Sequence, residues 1–260
     1  MPARIMLGDW YPIHHDETRG VLGFLSNSLS GVAERFQDEQ GRKPSFLDLG
    51  SGDGLVSVVA QNTGKYVHSS GIEVKATLNK AAQDYVHDFK AMDILKEGSV
   101  SLYSGSYYSD QYWPGIKNQW IKSNEPRIFS DKFLTRWSVG MSLGINDIPP
   151  QEVTPEIILH ELNKSNHDAL NDNHLLDSSG KLNADVIYWY PSDPFAEIGM
   201  VEQWNKIIKP GSYLVLGPSK QALNMIEQGV LDEDFERIGD RLEDKSLGLV
   251  PDFLIVYRKK

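Results

Sequence analysis

Phe46-Leu47-Asp48-Leu49-Gly50-Ser51-Gly52-Asp53-Gly54 is an apolar run that turns acidic and then places glycines at three alternate positions. It reads as a buried strand that delivers the chain into a tight corner. Glycine suits such a corner because a ligand lying across the strand end leaves no room for Cβ atoms, and because the turn calls for positive φ. The spacing narrows the ligand. A dinucleotide fingerprint is G-x-G-x-x-G, whereas Gly50, Gly52 and Gly54 form G-x-G-x-G with Asp48 two residues ahead.

Outward from the corner, strands and helices alternate. Leu55 to Asn62 reads as a crossover helix, Tyr66 to Val74 as a second strand, Lys75 to Ala91 as a helix and Val100 to Ser104 as a third strand. The pattern resumes with a strand at Ala184 to Tyr190, a helix from about Phe195 to Ile208 and a strand at Ser212 to Gly217. Strands separated by helices imply a parallel sheet, because a strand returning in the same direction needs a crossover. Two closing runs, Phe235 to Arg241 and Asp252 to Arg258, are suited to antiparallel pairing. The terminal Arg258-Lys259-Lys260 reads as a solvated strand end.

Asp48 with Gly50, Gly52 and Gly54 resembles motif I of the class I S-adenosylmethionine-dependent methyltransferases, and all four positions match. The resemblance implies an α/β fold: a Rossmann-like, doubly wound, mostly parallel seven-stranded sheet with an antiparallel C-terminal strand. It also implies S-adenosyl-L-methionine as cofactor. Asp48, Gly50, Ser51, Gly52 and Gly54 then approach its methionine part, and Glu73 at the end of the second strand holds the ribose hydroxyls, with Val74 beside it. A carboxylate fits that task because its oxygens accept from two adjacent hydroxyls. Ser106 and Tyr107, just past strand three, stand where the family contacts the adenine, without the usual acidic residue.

Methyl transfer from a sulfonium expels a neutral leaving group, so positioning dominates and acid catalysis matters little. Ligands in open α/β sheets bind outside the carboxyl ends of strands near the switch point, which directs attention to Tyr190-Pro191-Ser192-Asp193-Pro194-Phe195. Tyr190 is a candidate to line the methyl channel or stack on a cation, and otherwise to be core. Asp193 is a candidate to hold a substrate amine, by resemblance to the (Asn/Asp)-Pro-Pro-(Tyr/Phe) motif of amino-methyltransferases. The second proline of that motif is absent, and Asp193 reads equally as a helix N-cap ahead of Pro194.

Trp10 to Thr18, followed by Val21, Leu22, Phe24, Leu25 and Leu29 at helical spacing, reads as a loop capped by Asp16 or Thr18 into an amphipathic helix, spanning 10–40. Placed ahead of such a corner, it is similar to the small protein-lysine methyltransferases of mitochondria and their bacterial relatives. Residues 107–183 are too long for an ordinary connection and read as an insertion, a lid or substrate-recognition element, within a single domain of 260 residues. Glu156 to Asn163 is its clear amphipathic helix, and Trp113, Trp120, Phe129, Phe133 and Trp137 are suited either to closing over a small molecule or to flanking a groove for a protein substrate.

Composition sets the bounds. The 40% apolar content supports a full core, and no run approaches the roughly 20 apolar residues of a membrane span, so a soluble cytoplasmic protein is expected. The absence of cysteine removes disulfides, zinc-thiolate sites and thiol nucleophiles. A net charge of −10 disfavours nucleic acid unless a local basic patch intervenes. His160, His167 and His174 recur every seven residues, and Asn171, Asp172 and Asn173 interrupt the helix that a shared metal face needs, so solvent-facing histidines without metal are expected. The acceptor expected is a nitrogen or oxygen nucleophile of a protein side chain or small metabolite. The alternatives are a non-catalytic S-adenosylmethionine-binding module and an NAD(P)-dependent oxidoreductase.

Overall fold

The computed structural model describes residues 15–91, 95, 100–143, 145, 147–163, 168–191, 200–217, 219–238, 242–243 and 253–260. Asp193, His167 and the loop Trp10 to His14 lie outside them. The first half comprises α1 (His15–Gln40), β1 (Phe46–Leu49), α2 (Leu55–Asn62), β2 (Ser69–Glu73), α3 (Ala76–Ala91) and β3 (Val100–Ser104). The second comprises β4 (Val186–Trp189), α8 (Met200–Ile207), β5 (Tyr213–Leu216), α9 (Lys220–Glu227), β6 (Phe235–Arg237), β7 (Leu242–Glu243) and β8 (Phe253–Lys259). Between the halves lie α4 (Trp113–Ile128), α5 (Phe133–Ser142), α6 (Pro155–Asn163) and α7 (Ala169–Asp172).

The fold is the doubly wound α/β sheet expected. Strand order is β3-β2-β1-β4-β5-β8-β6, with the two-residue β7 as an eighth strand beside β8. β1 to β5 are mutually parallel, and β8 runs antiparallel to both β5 and β6. The chain winds outward from β1 through β2 to β3, then returns to β4 on the opposite side of β1. That reversal makes the carboxyl ends of β1 and β4 the switch point, and it lies at the glycine corner.

Alternation along each strand assigns the two faces. Phe46, Val186, Tyr188, Tyr213 and Val215 pack with Leu29, Val32, Ala33 and Phe36 of α1. Leu47, Leu49, Ile187, Trp189 and Leu214 face the other way, toward Trp204 of α8 and Met225 of α9. Residues 107–183 share that second core through Trp120, Ile128, Val139, Ile158 and Leu162. Trp120, only 2% exposed, is part of that interior.

Several boundaries differ from the sequence expectation. α1 already runs from His15, so Asp16 and Thr18 lie inside the helix and neither is its cap. β2 begins at Ser69, and Tyr66 ahead of it packs edge-on against Phe46 while its hydroxyl donates to the Leu29 carbonyl at 2.8 Å. α4 and α5 carry no clear helical pattern in the sequence, because Pro114, Gly115, Pro126 and Gly140 interrupt it. Pro114 sits in the first turn, where a missing N–H is harmless, and Pro126 in the last. The C-terminal cations are engaged rather than merely solvated. Arg258 pairs with Glu39 at 3.2 Å and with Glu236, and Lys259, 8% exposed, pairs with Asp234 at 2.9 Å. Among the described residues no helix is long and apolar enough to cross a membrane.

Candidate functional site

The corner closes by backbone hydrogen bonds to β2. Gly50 and Ser51 both donate to the Ile72 carbonyl, at 2.9 and 2.7 Å, and Gly54 donates to the Ser51 carbonyl at 2.8 Å. This winding puts Gly52 at φ 55° and Gly54 at φ 76°, left-handed conformations that a Cβ opposes. Gly54 then leads directly into α2, donating no side chain and offering its carbonyl to Val58 at 3.0 Å.

Glu73 is clamped where β2 ends. Its Oε2 accepts from the Gly52 amide at 2.8 Å, its Oε1 accepts from the Lys75 amide at 2.7 Å, and its own carbonyl accepts from Gly105 past β3 at 3.0 Å. Each carboxylate oxygen keeps a second lone pair, so the group can still accept from ligand hydroxyls. Burial raises its pKa, and the Lys75 and Gly52 amides pull it partly back.

Asp48 lies beneath the corner, 2% exposed, opposite Gly71 and Tyr188 in the sheet register. The Ser57 hydroxyl approaches one of its oxygens at 3.5 Å. Burial first, then the neighbouring Glu73 and Asp53, hold its pKa well above the usual carboxylate range. Asp53, which the sequence does not mark as a binding residue, is a third acid at the corner and is half-buried. Its carboxylate accepts from the Leu55 amide at 3.2 Å, and burial pushes its pKa up to about 6.

The Asp53 shift has a definite sign. Its ordinary value is 3.8, so between pH 4 and 6 the folded chain holds a proton that the unfolded chain has released. The contribution of Asp53 to stability is therefore largest at acidic pH and is lost as pH rises through about 6. Asp53→Asn removes it, so the ratio of stability at pH 5 to that at pH 7 falls relative to the parent. Denaturant melts at the two pH values measure this, and an identical pH profile in the variant contradicts the assignment.

In the sequence Gly71 reads as an ordinary residue of the second strand. A Cβ there would lie 2.7 Å from Ser51 Cβ and 2.9 Å from Leu102 Cδ2, so the corner can seat against β2 only over a glycine. The signal was present in Gly71 standing two residues before Glu73, but what packs on it is invisible without the fold.

Tyr107 is brought to the corner, its Cε1 3.5 Å from the position a Gly50 Cβ would take. Its hydroxyl accepts from the Trp189 indole at 3.4 Å, and its ring lies 6.0 Å from that of Trp204. Gln203, fully buried on α8, fixes this loop by donating to the Tyr107 carbonyl at 2.9 Å and accepting from the Ser109 amide at 3.1 Å. No sequence signal marks that role. Ser106 is turned to structural use: its hydroxyl accepts from the Tyr108 amide at 3.0 Å and its carbonyl accepts from Ala169 at 3.0 Å. Val74 is 67% exposed beside Glu73.

Tyr190 lies just beyond β4, level with Gly50 across the switch point, and is 38% exposed. It is neither strand nor core, and it leans over Gly217, where a Cβ would fall 2.8 Å from its ring. His160 and His174 are both exposed and lie on different elements, His174 at φ 55° beyond α7. A cleft of about 330 Å³ lined by Ser109, Tyr112, Lys181 and Lys206 lies on the α8 side and includes none of the corner residues.

The chemistry of the corner is acidic and poor in free donors. Its amides are committed to Ile72, Ser51 and Glu73, and three carboxylates gather around it. Such a corner has acceptor oxygens to offer to hydroxyls and few unpaired backbone amides to offer to a phosphate.

No family model and no curated protein matches this chain. Among solved structures it is similar to the tRNA (m1A58) methyltransferase TrmI from Aquifex aeolicus, with 11% identity over 96% of this chain and 71% of that one at a TM-score of 0.45. It is also similar to a precorrin-6y C5,15-methyltransferase from Geobacter metallireducens, with 12% identity over 88% and 87% of the two chains and a TM-score of 0.42. An RNA methyltransferase from Salinibacter ruber, solved with S-adenosyl-L-homocysteine, matches at 14% identity over 88% and 89%, with a TM-score of 0.36.

Proposed function

We propose that this chain is a cytoplasmic S-adenosylmethionine-dependent methyltransferase acting on a nitrogen or oxygen nucleophile, carried by a protein side chain or a small metabolite. One observation carries the reading: at the switch point of the sheet the amides of the glycine corner are already paired and Glu73 stands among them, where a dinucleotide site presents free amides. S-adenosylmethionine brings a sulfonium, an ammonium and a pair of ribose hydroxyls, whereas NAD(P) brings a pyrophosphate. The same contrast disfavours the oxidoreductase alternative.

When bound, the cofactor supplies a methyl group on a positively charged sulfur. Glu73 would accept from the ribose hydroxyls with its remaining lone pairs, its orientation already set by the Gly52 and Lys75 amides. The backbone of Gly50 to Gly54 permits close approach of the methionine part, with Asp48 buried beneath it and Asp53 at its edge ionised above a pH of about 6. Val74 and Tyr107 flank the adenine, while Ser106 acts through the loop it anchors. Tyr190 borders the path to the acceptor, and Asp193 follows it in the chain as the candidate group to hold an acceptor amine. Residues 107–183 serve as the substrate-recognition element or a lid, since this segment starts at Tyr107 beside the corner.

Thermal denaturation tests the cofactor assignment. At a hundredfold excess over its dissociation constant, S-adenosylmethionine or its demethylated product stabilises the fold by about 2.7 kcal/mol, which raises the melting temperature by about 5 °C or more. NAD(H) produces no rise. A rise with NAD(H) and none with either sulfur ligand overturns the reading. A non-catalytic binding module gives the same melt and is separated by transfer of labelled methyl groups to acceptors.

A further inference from the structure

The buried face of α3 carries a polar side chain that the fold leaves unsatisfied. Asn79, Ala82 and Val86 are all buried and follow one another at helical spacing. Val86 packs with Val100 at the start of β3. One turn earlier, Ala82 meets Leu102 at the glycine corner, where a Gly54 Cβ would lie 3.1 Å from Ala82 Cβ and 3.1 Å from Leu102 Cδ1. The next turn of the same face therefore brings Asn79 to the carboxyl ends of β2 and β3. Its amide donates to the Lys75 carbonyl at 3.0 Å, and the Lys75 amide is the one that holds Glu73 Oε1 at 2.7 Å. Asn79 is 4% exposed, and its Oδ1 is buried with no hydrogen-bond partner among the described residues. An apolar side chain would serve the packing of that stripe better, since a buried acceptor without a donor destabilises a fold.

We propose that Asn79 Oδ1 is the acceptor for the exocyclic amine of the cofactor's adenine, and so sets the preference for that base. The assignment rests on the methyl-donor reading above and deepens it. With Glu73 on the ribose hydroxyls and the methionine part over Gly50 to Gly54, the amine is the strong donor of the cofactor still to be placed. Gly105 to Tyr107, past β3, carry no carboxylate to receive it. The Ser106 hydroxyl is turned to the Tyr108 amide at 3.0 Å, and the Ser106 carbonyl accepts from Ala169 at 3.0 Å. Asn79 supplies an acceptor from the helix side instead, one turn beyond Glu73. Binding then satisfies an atom that the free protein leaves unpaired, and a base with no donor at that position leaves it so.

Isothermal titration of the full chain tests this with two ligands, S-adenosyl-L-homocysteine and the analogue that carries unsubstituted purine in place of adenine. The parent binds the adenine ligand about tenfold more tightly than the purine analogue, or better. Asn79→Leu weakens the adenine ligand about tenfold and leaves the analogue at its parental affinity, which brings the ratio of the two close to one. Because the substitution replaces an unpaired polar group by an apolar one of higher helix propensity, the ligand-free variant melts at or above the parental temperature. Should Asn79→Leu not fold, Asn79→Ala decides by the same ratio. A parental ratio in the variant overturns the proposal, and a lowered melting temperature beside it marks Asn79 as structural. A parent that binds both ligands equally overturns this proposal alone, whereas a parent that binds neither overturns the methyl-donor reading and this proposal with it.

Discussion

Glu73→Ala loses S-adenosylmethionine binding by two orders of magnitude or more in isothermal titration. On the proposed reading the carboxylate accepts from two ribose hydroxyls, and hydrogen bonds to a charged group contribute about 1.5–3 kcal/mol each, so their joint loss reaches that range. The substitution also strips the Gly52 and Lys75 amides of their acceptor, since the side-chain oxygens lie 2.8 and 2.7 Å from them. Both amides are partly buried, so a stability loss of about 1–3 kcal/mol accompanies the binding defect. A melt of the variant separates the two effects: a folded variant that still binds at parental affinity removes Glu73 from the site.

Gly71→Ala has the second largest expected effect, and it acts through shape alone. The added methyl meets Ser51 Cβ at 2.7 Å, Ser51 Oγ at 2.8 Å and Leu102 Cδ2 at 2.9 Å. Leu102 can swing aside, but Ser51 is held by its amide to Ile72 at 2.7 Å, so the corner itself must lift from β2. Overpacking of this kind costs about 1–3 kcal/mol of stability. Lifting the corner parts the Gly52 amide from Glu73, and cofactor affinity falls about tenfold or more with it. Relieving only the Leu102 contact, by Gly71→Ala with Leu102→Ala, leaves binding impaired. Parental stability and affinity in Gly71→Ala would contradict the packing described.

The elements around the corner were legible because they depend on local rules. Alternating apolar strands, helical spacing and three alternate glycines located β1, α2 and β3 at their observed bounds, and the antiparallel pairing of β6 with β8 followed from two apolar runs near the C-terminus, although β6 proved shorter than its run. What escaped depends on contacts between distant segments. Gly71 matters only because Ser51 lands on it, Gln203 only because α8 carries it to the loop after β3, and Asp53 becomes half-buried only when the corner closes. α4 and α5 were missed for the opposite reason. Their prolines and glycines argue locally against a helix, and burial of Trp120, Ile128 and Val139 in the shared core outweighs that local penalty. The exposed Phe129 and Phe133 looked like the buried Trp120 in sequence, since aromatic content says nothing of which rings face water.

The central claim is that S-adenosylmethionine sits on the glycine corner with Glu73 beneath it. Hydrogen–deuterium exchange of the chain with and without saturating S-adenosylmethionine tests this most directly, because the amides of Gly50 to Gly54 and of Lys75 belong to the corner. Protection is predicted in peptides covering 46–57 and 69–79, and in the loop 104–109 that carries Tyr107, with the α4–α5 turn unchanged. Ligand saturation with no protection in those peptides, or protection confined to the cleft beside Lys181 and Lys206, contradicts the account.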